Sequence, residues 1–184
     1  MTGLTRRGLV IGALASLGAA AVPARARAFS RIGPDRLWIQ RWDTGEVLND
    51  TFIYRSEIAQ RASWALYSHF WRDVKDRGQM VWIDRALLVV LSDLQIGIAR
   101  ATGSEKPLKL VSGYRTRQRN ARLEGAASNS QHVHGRACDL TVPGVGSRSV
   151  ADLAERIAGV GGVGRYPSFT HVDTGPRGRR WGTS

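Results

Sequence analysis

Between residues 35 and 54 apolar and polar side chains alternate on either side of Asp43-Thr44-Gly45. A period of two marks a strand with one buried face, and an Asp/Gly pair at a tight turn joins two such strands into a hairpin. Leu37, Ile39, Val47 and Phe52 supply its apolar positions. The period then changes. Trp64, Tyr67, Trp71 and Val74 recur at three- and four-residue steps, which predicts a helix ending near Gly78. The clearest helix comes next, with Asp84 as its cap, Leu87, Leu88, Leu91, Leu94 and Ile98 as one apolar stripe, and Gly103 just past its end.

In the second half, "PLKLVSGYR" (107–115) reads as a strand running into a glycine turn, and "RACDLTV" (136–142) as another, ended by Pro143-Gly144. "SVADLAERIAG" (149–159) has the pattern of a short helix with Ser149 as cap and Gly159 beyond its end. "GVGGVGRYP" (159–167) reads as a glycine-rich loop, and it lacks the lysine and the strand–loop–helix setting of a phosphate-binding loop. "SFTHVDTG" (168–175) is a last short strand, followed by a basic tail. The order of elements, without repeats or low-complexity linkers, predicts a single α+β domain: a small antiparallel sheet with helices packed against it.

Composition changes this picture in two ways. The chain has 184 residues and one cysteine, Cys138, so its core must hold without an intrachain disulfide. Its formal charge is +12, and part of that belongs to the N-terminus. Residues 1–28 carry Arg6-Arg7, an apolar run of about 14 residues from Leu9, and then "PARARA". The run is short of the roughly 20 apolar residues a membrane span needs. Ala26 and Ala28 suit a signal peptidase, and the paired arginines resemble a twin-arginine export signal. Residues 1–28 are therefore expected to be a signal peptide and 29–184 the mature domain, without a stable membrane span. Cleavage removes four arginines and no acid, which lowers the formal charge from +12 to +8. Export to the periplasm, scattered arginines and the lack of any nucleic-acid recognition signature argue against nucleic acid and for the anionic cell wall as partner.

Of the four histidines, two fall in "SNSQHVHGRACDL" (128–140). Strand alternation puts Ala137 and Asp139 on one face of "RACDLTV" and Cys138, Leu140 and Val142 on the other, toward the core. Cys138 is thereby an unsuitable nucleophile. Gly135 permits a tight turn between His132 and that strand. The same alternation places His171 and Asp173 on one face, with Val172 facing inward. Two histidines and a carboxylate with one open position make a catalytic zinc site, in which the metal lowers the pKa of water to about 7 and polarises the scissile carbonyl. A general base must still take a proton, and a cation such as Arg115 suits the developing oxyanion.

The pattern Ser130-x-His132-x-x-Gly135-x-Ala137-x-Asp139, preceded by Ser112-Gly113-Tyr114-Arg115 and followed by His171-Val172-Asp173, resembles the M15-type zinc peptidases of the LAS superfamily, and most closely their exported DUF882 branch. The resemblance runs over almost all of the chain after the signal, through "DTGE", "VSGYRT", "GGVGRYP" and "HVDTGPRGRRW". It implies one zinc per chain held by His132, Asp139 and His171, with His134 on a variable position. It further implies hydrolysis of peptide cross-links or stems in peptidoglycan, most simply as an endopeptidase. Two departures stand out. The usual base two or three residues before the last histidine is replaced by Phe169 and Ser168, which leaves Asp173 as the candidate base or as a group that orients a ligand histidine. Asp43 occupies a hairpin position where many relatives have histidine. Arg115 is a candidate for charge stabilisation or for holding a substrate carboxylate, and Ser130 for orienting substrate. The alternative to an enzyme is a zinc-containing protein of this fold that binds peptidoglycan peptides without cutting them.

Overall fold

The computed structural model describes residues 35–182 apart from Tyr54, so the expected signal at 1–28 lies outside the described residues. Strands β1 (Arg36–Arg41) and β2 (Val47–Thr51) form the hairpin that the alternation predicts. Its turn closes through Arg41 N donating to Glu46 O at 2.8 Å, with Gly45 at φ +73°. Leu37 and Ile39 are buried, and so is Arg41. A buried cation needs partners. The Arg41 guanidinium donates to Asp43 Oδ1 and Oδ2 at 2.9 and 2.8 Å and to the carbonyls of Phe70 and Arg72, which fastens the hairpin to the end of the first helix.

That helix, α1 (Glu57–Phe70), stops earlier than the aromatic spacing suggests. Residues 71–79 form turns instead, closed by an isolated bridge between Asp73 and Gln79. The cause is Asp73, whose backbone carbonyl accepts from Asp76 N and Gly78 N while its side chain accepts from Lys75 N at 3.3 Å. An aspartate bonding to its own neighbourhood competes with the helical ladder. Helix α2 (Arg85–Thr102) matches expectation, with Asp84 Oδ1 accepting from Ala86 N at 3.0 Å and Gly103 left-handed at the end. All five residues of its predicted stripe are buried.

The remaining elements are β3 (Leu108–Ser112), α3 (Arg117–Ala121), a 3-10 turn at Gln131–His134, β4 (Ala137–Thr141), α4 (Ser147–Ala154), β5 (Gly162–Arg165), β6 (Thr170–Asp173) and β7 (Arg179–Trp181). They build one sheet in the order β2-β1-β3-β4-β6-β5-β7. The architecture is α+β, but the sheet is larger than expected and mixed, because β1/β3 and β5/β7 pair in parallel. The glycine-rich segment contains strand β5, and the basic tail contributes β7. Helix α4 begins at Ser147 with Gly146 at the cap, so Ser149 lies inside it.

Leu37, Ile39, Leu108, Leu110, Cys138, Leu140, Val163 and Val172 from the sheet join residues of α1, α2 and α4 in one core. Alternation then gives the opposite face of β4, β5 and β6 to Asp139, His171, Asp173 and glycines. Helices cover one face, and chemistry occupies the other. Among the described residues no helix is long and apolar enough to cross a membrane.

Candidate metal centre and cleft

Register brings the site together. In the β4–β6 ladder Asp139 lies opposite His171, and Ala137 opposite Asp173. The third member arrives from the 3-10 turn, where Gly135 takes φ +65° and packs so closely that an added Cβ would stand 2.9 Å from Val81 Cγ2. Its carbonyl accepts from Asp84 N at 2.9 Å. With the turn pinned this way, His132 Nε2 comes within 3.2 Å of both Asp139 Oδ1 and His171 Nδ1, while His171 Nδ1 is 2.8 Å from Asp139 Oδ1. Ligand atoms of a four-coordinate metal with bonds of about 2.0–2.2 Å lie about 3.3 Å apart, so the spacing fits.

The outer nitrogens fix the tautomers. His132 Nδ1 donates to the Gly113 carbonyl at 2.7 Å, and His171 Nε2 donates to Asp173 Oδ2 at 2.9 Å. A carbonyl and an ionised carboxylate can only accept, so each imidazole carries its proton on the side away from the cluster. Two nitrogen lone pairs and a carboxylate oxygen therefore converge with no proton left to share when both rings are neutral. A cation resolves that crowding, and these three are a buried His/Asp/His group able to hold a metal ion. Asp139 and His132 lean the same way in charge, and His171 does not. Burial alone would raise the Asp139 carboxyl, yet the flanking histidines hold it far below the usual carboxylate range. Burial pushes His132 down against the pull of Asp139, which favours the neutral, ligating form. For His171 burial is outweighed by Asp139 and Asp173, and the imidazole is raised.

Surrounding groups hold the donors in place. Tyr114 N donates to Trp71 O, Arg115 N to His132 O and Thr116 N to Asp73 Oδ2, so three successive amides of the loop after β3 are tied down. Arg115 then directs Nε to Ser112 Oγ at 2.8 Å and Nη2 to Asp139 Oδ2, leaving Oδ1 to the cluster. Asp173 has no exposed surface. Its Oδ2 faces His171, and its Oδ1 accepts from Gly175 N at 2.7 Å and Arg179 Nη2 at 2.5 Å. Burial would raise this carboxyl too, but His171, the Gly175 amide and Arg179 lower it.

The cluster opens into a cleft of about 650 Å³. Ser130 lines it, as do Arg115 and the residues of the cluster. His134 is exposed and bonds Asn129 instead of joining the cluster, and Asp43 pairs with Arg41 in the hairpin.

A model of the family Peptidase_M15_2, described as peptidoglycan L,D-endopeptidase MepK, matches residues 30–181. The chain belongs to that family. Its similarity to individual M15 peptidases runs nearly from end to end. It is 36% identical over 183 residues to the peptidoglycan L,D-endopeptidase MepK of Escherichia coli K12, covering 96% of each chain. To the probable peptidoglycan L,D-endopeptidase MepK of Haemophilus influenzae it is 32% identical over 178 residues, covering 93% of this chain and 92% of the relative.

The M15 motif is thus legible in the sequence, whereas one wall of the cleft is not. Tyr166 and Phe169 stack at 4.4 Å, Trp181 Nε1 donates to Tyr166 Oη at 3.0 Å, and the Trp181 ring centre lies 5.0 Å from that of His171. Gly162 and Gly164 make this possible. A Cβ on Gly162 would collide with Asp173 Oδ2, and one on Gly164 would meet the Trp181 indole at 2.7 Å. The signal was the alternate glycines of "GGVGR", read as a loop when they are the bare face of a strand. Phe169 and Ser168, unsuitable as bases, sit where the former supplies part of that wall.

Proposed function

We propose that this chain is a zinc-dependent endopeptidase that hydrolyses peptide cross-links of peptidoglycan in the cell envelope. The observation that carries it is the convergence of His132 Nε2, Asp139 Oδ1 and His171 Nδ1 at the end of a cleft large enough for a peptide, with both ring protons turned outward. Two imidazoles and one carboxylate are a donor set suited to zinc, with a position left open for water or substrate. The printed activity of the relatives, L,D-endopeptidase, supports the same bond class for this chain.

Zinc bound there supplies a Lewis acid that polarises the scissile carbonyl and makes water a nucleophile near neutral pH. The protein's own groups do the rest. Gly113 O and Asp173 hold the two imidazoles in the ligating tautomer. Arg115 fixes the Asp139 carboxylate and faces the cleft as a cation beside the reacting centre. Ser130 borders the cleft and is placed to orient a bound peptide. Asp173, fully enclosed and using both oxygens, orients His171 instead of carrying a proton to the leaving amine. The aromatic wall of Tyr166, Phe169 and Trp181 keeps that side of the cleft apolar, which strengthens the electrostatic contacts within it.

Purified cross-linked muropeptides, incubated with the protein and followed by mass spectrometry, test this directly. Cleavage of the bond between two diamino acids, abolished by a chelator and restored by zinc, is the expected result. Stoichiometric binding of the peptide without turnover would establish a binding protein instead. We further propose that residues 1–28 direct export through the twin-arginine route. Arg6→Lys with Arg7→Lys is then expected to leave uncut precursor in the cytoplasm, and normal export and trimming of that double variant would refute it.

A further inference from the structure

Charge around the cleft is almost entirely accounted for. Of the cations lining it, Arg115 is tied to Asp139 and Arg179 to Asp173. Those two aspartates are buried. Glu124 also lines the cleft, is exposed, and makes no hydrogen bond or ion pair among the described residues. Its setting is unusual. Between residues 106 and 138 it is the lone acid, in a run holding Arg115, Arg117, Arg119, Arg122 and Arg136. None of these arginines pairs with it. A second acceptor lacks a donor in the same cleft. Gln131, 7% exposed, keeps its Oε1 buried without a hydrogen-bond partner. A buried carbonyl oxygen without a donor is costly, so a donor supplied by a ligand would be favoured there.

Glu124 is an exposed anion and the Gln131 oxygen an acceptor without a protein donor, so a ligand that suits both is a donor with positive charge. A primary ammonium offers three N–H donors and no acceptor. The rest of this strongly basic protein repels such a group, which makes an acid at the cleft the means of admitting it. We propose that Glu124 is a specificity-determining residue that holds a free ammonium of the cross-linked substrate, with the Gln131 carboxamide oxygen as a further acceptor. This rests on the endopeptidase reading above. In a cross-link between two diamino acids, one residue gives its carboxyl and the other its side-chain amine. The residue that gives the scissile carbonyl therefore keeps its own side-chain amine as a free ammonium, on the same residue as the bond to be cut.

The test uses the zinc-loaded protein and two defined cross-linked muropeptide dimers, one native and one N-acetylated at that amine. For the wild-type protein KM is expected to be about 10-fold higher on the acetylated dimer, the range of one partly exposed charge-assisted hydrogen bond, with kcat little changed. Glu124→Gln is expected to raise KM about 10-fold on the native dimer and to leave KM on the acetylated dimer unaltered. Glu124→Asp should recover part of the loss. Equal KM for the two dimers with the wild-type protein would overturn the assignment. So would a Glu124→Gln variant that loses kcat equally on both, since that marks a proton carrier. Failure of the wild-type protein to cut either dimer would instead remove the endopeptidase reading itself.

Discussion

Gly164 lies directly across the β5–β6 ladder from His171, and the space its missing side chain leaves is filled by the indole of Trp181. The ring of Trp181 in turn leans on the His171 imidazole, at 5.0 Å between centres. A histidine of the candidate metal cluster is thus held from behind by an aromatic ring that fits only against a glycine. Gly164→Ala puts a methyl 2.7 Å from that ring. We expect the substitution to destabilise the fold by about 1–3 kcal/mol, the usual cost of overpacking. Urea denaturation measures it, and tryptophan emission should shift as Trp181 is displaced. A variant of native stability and native emission would show that the indole is free to move aside.

Asp173 gives a second expectation. Its Oδ2 receives the His171 Nε2 proton at 2.9 Å, and it has no surface open to the cleft. Asp173→Asn can present an N–H to that nitrogen, and then the imidazole proton moves to Nδ1, the atom needed for the metal. Zinc affinity is expected to fall by about 10- to 100-fold, as for other groups that orient a ligand. At saturating zinc, turnover should largely return. Full zinc affinity with turnover down by ~10²- to 10⁴-fold would make Asp173 a proton carrier after all.

The hairpin turn carries a pH dependence. Burial raises the Asp43 carboxyl, but its paired hydrogen bonds with Arg41 more than offset this and the net direction is down. A group whose pKa is depressed on folding contributes stability above its unfolded value, and that contribution is lost as pH falls through the folded value. Asp43→Asn is therefore expected to be less stable than the native chain at neutral pH. The gap should narrow as pH drops below about 4, where aspartate in the unfolded chain takes up its proton. Urea midpoints across pH 2.5–7 read this out, and a gap independent of pH would show that the Arg41–Asp43 pair does not contribute.

The sequence disclosed what depends on short-range periodicity. The hairpin about Gly45, the stripe of α2, and the shared face of His171 and Asp173 all follow from residue spacing alone. The early end of α1 did not, because Asp73 bonds backbone amides at 75 and 116 that the aromatic pattern cannot reveal. Strand β5 was hidden because the face it turns to Trp181 and Asp173 carries no side chains, and β7 because three residues give too little pattern to read. The motif pointed to His132, Asp139 and His171 together. The aromatic wall and the unpaired Glu124 depend on segments brought side by side only by folding, and no local signal marks them.

Arg115 is where charge and geometry can be separated. Its guanidinium reaches Ser112 Oγ with Nε and Asp139 Oδ2 with Nη2, a rigid two-point hold that turns Oδ1 toward the histidines. Lysine in its place keeps the positive charge, so the long-range attraction for a substrate carboxylate or a developing oxyanion is retained. It lacks the planar fork, however, and a single ammonium on a flexible stem does not reproduce both contacts. If Arg115 works chiefly by aligning Asp139, Arg115→Lys should weaken zinc binding by about 10-fold, within the range for groups that orient a ligand. Turnover at saturating zinc should then stay within a few-fold of native. If it instead donates directly to charge that develops during the reaction, zinc affinity should be unchanged and kcat should fall by ~10²-fold or more, as when one such donor is removed. Asp139 is buried and pairs with Arg115 on one oxygen and the histidines on the other, so we expect the first outcome. Zinc titration with a competing chelator and steady-state kinetics on the same preparation decide between them.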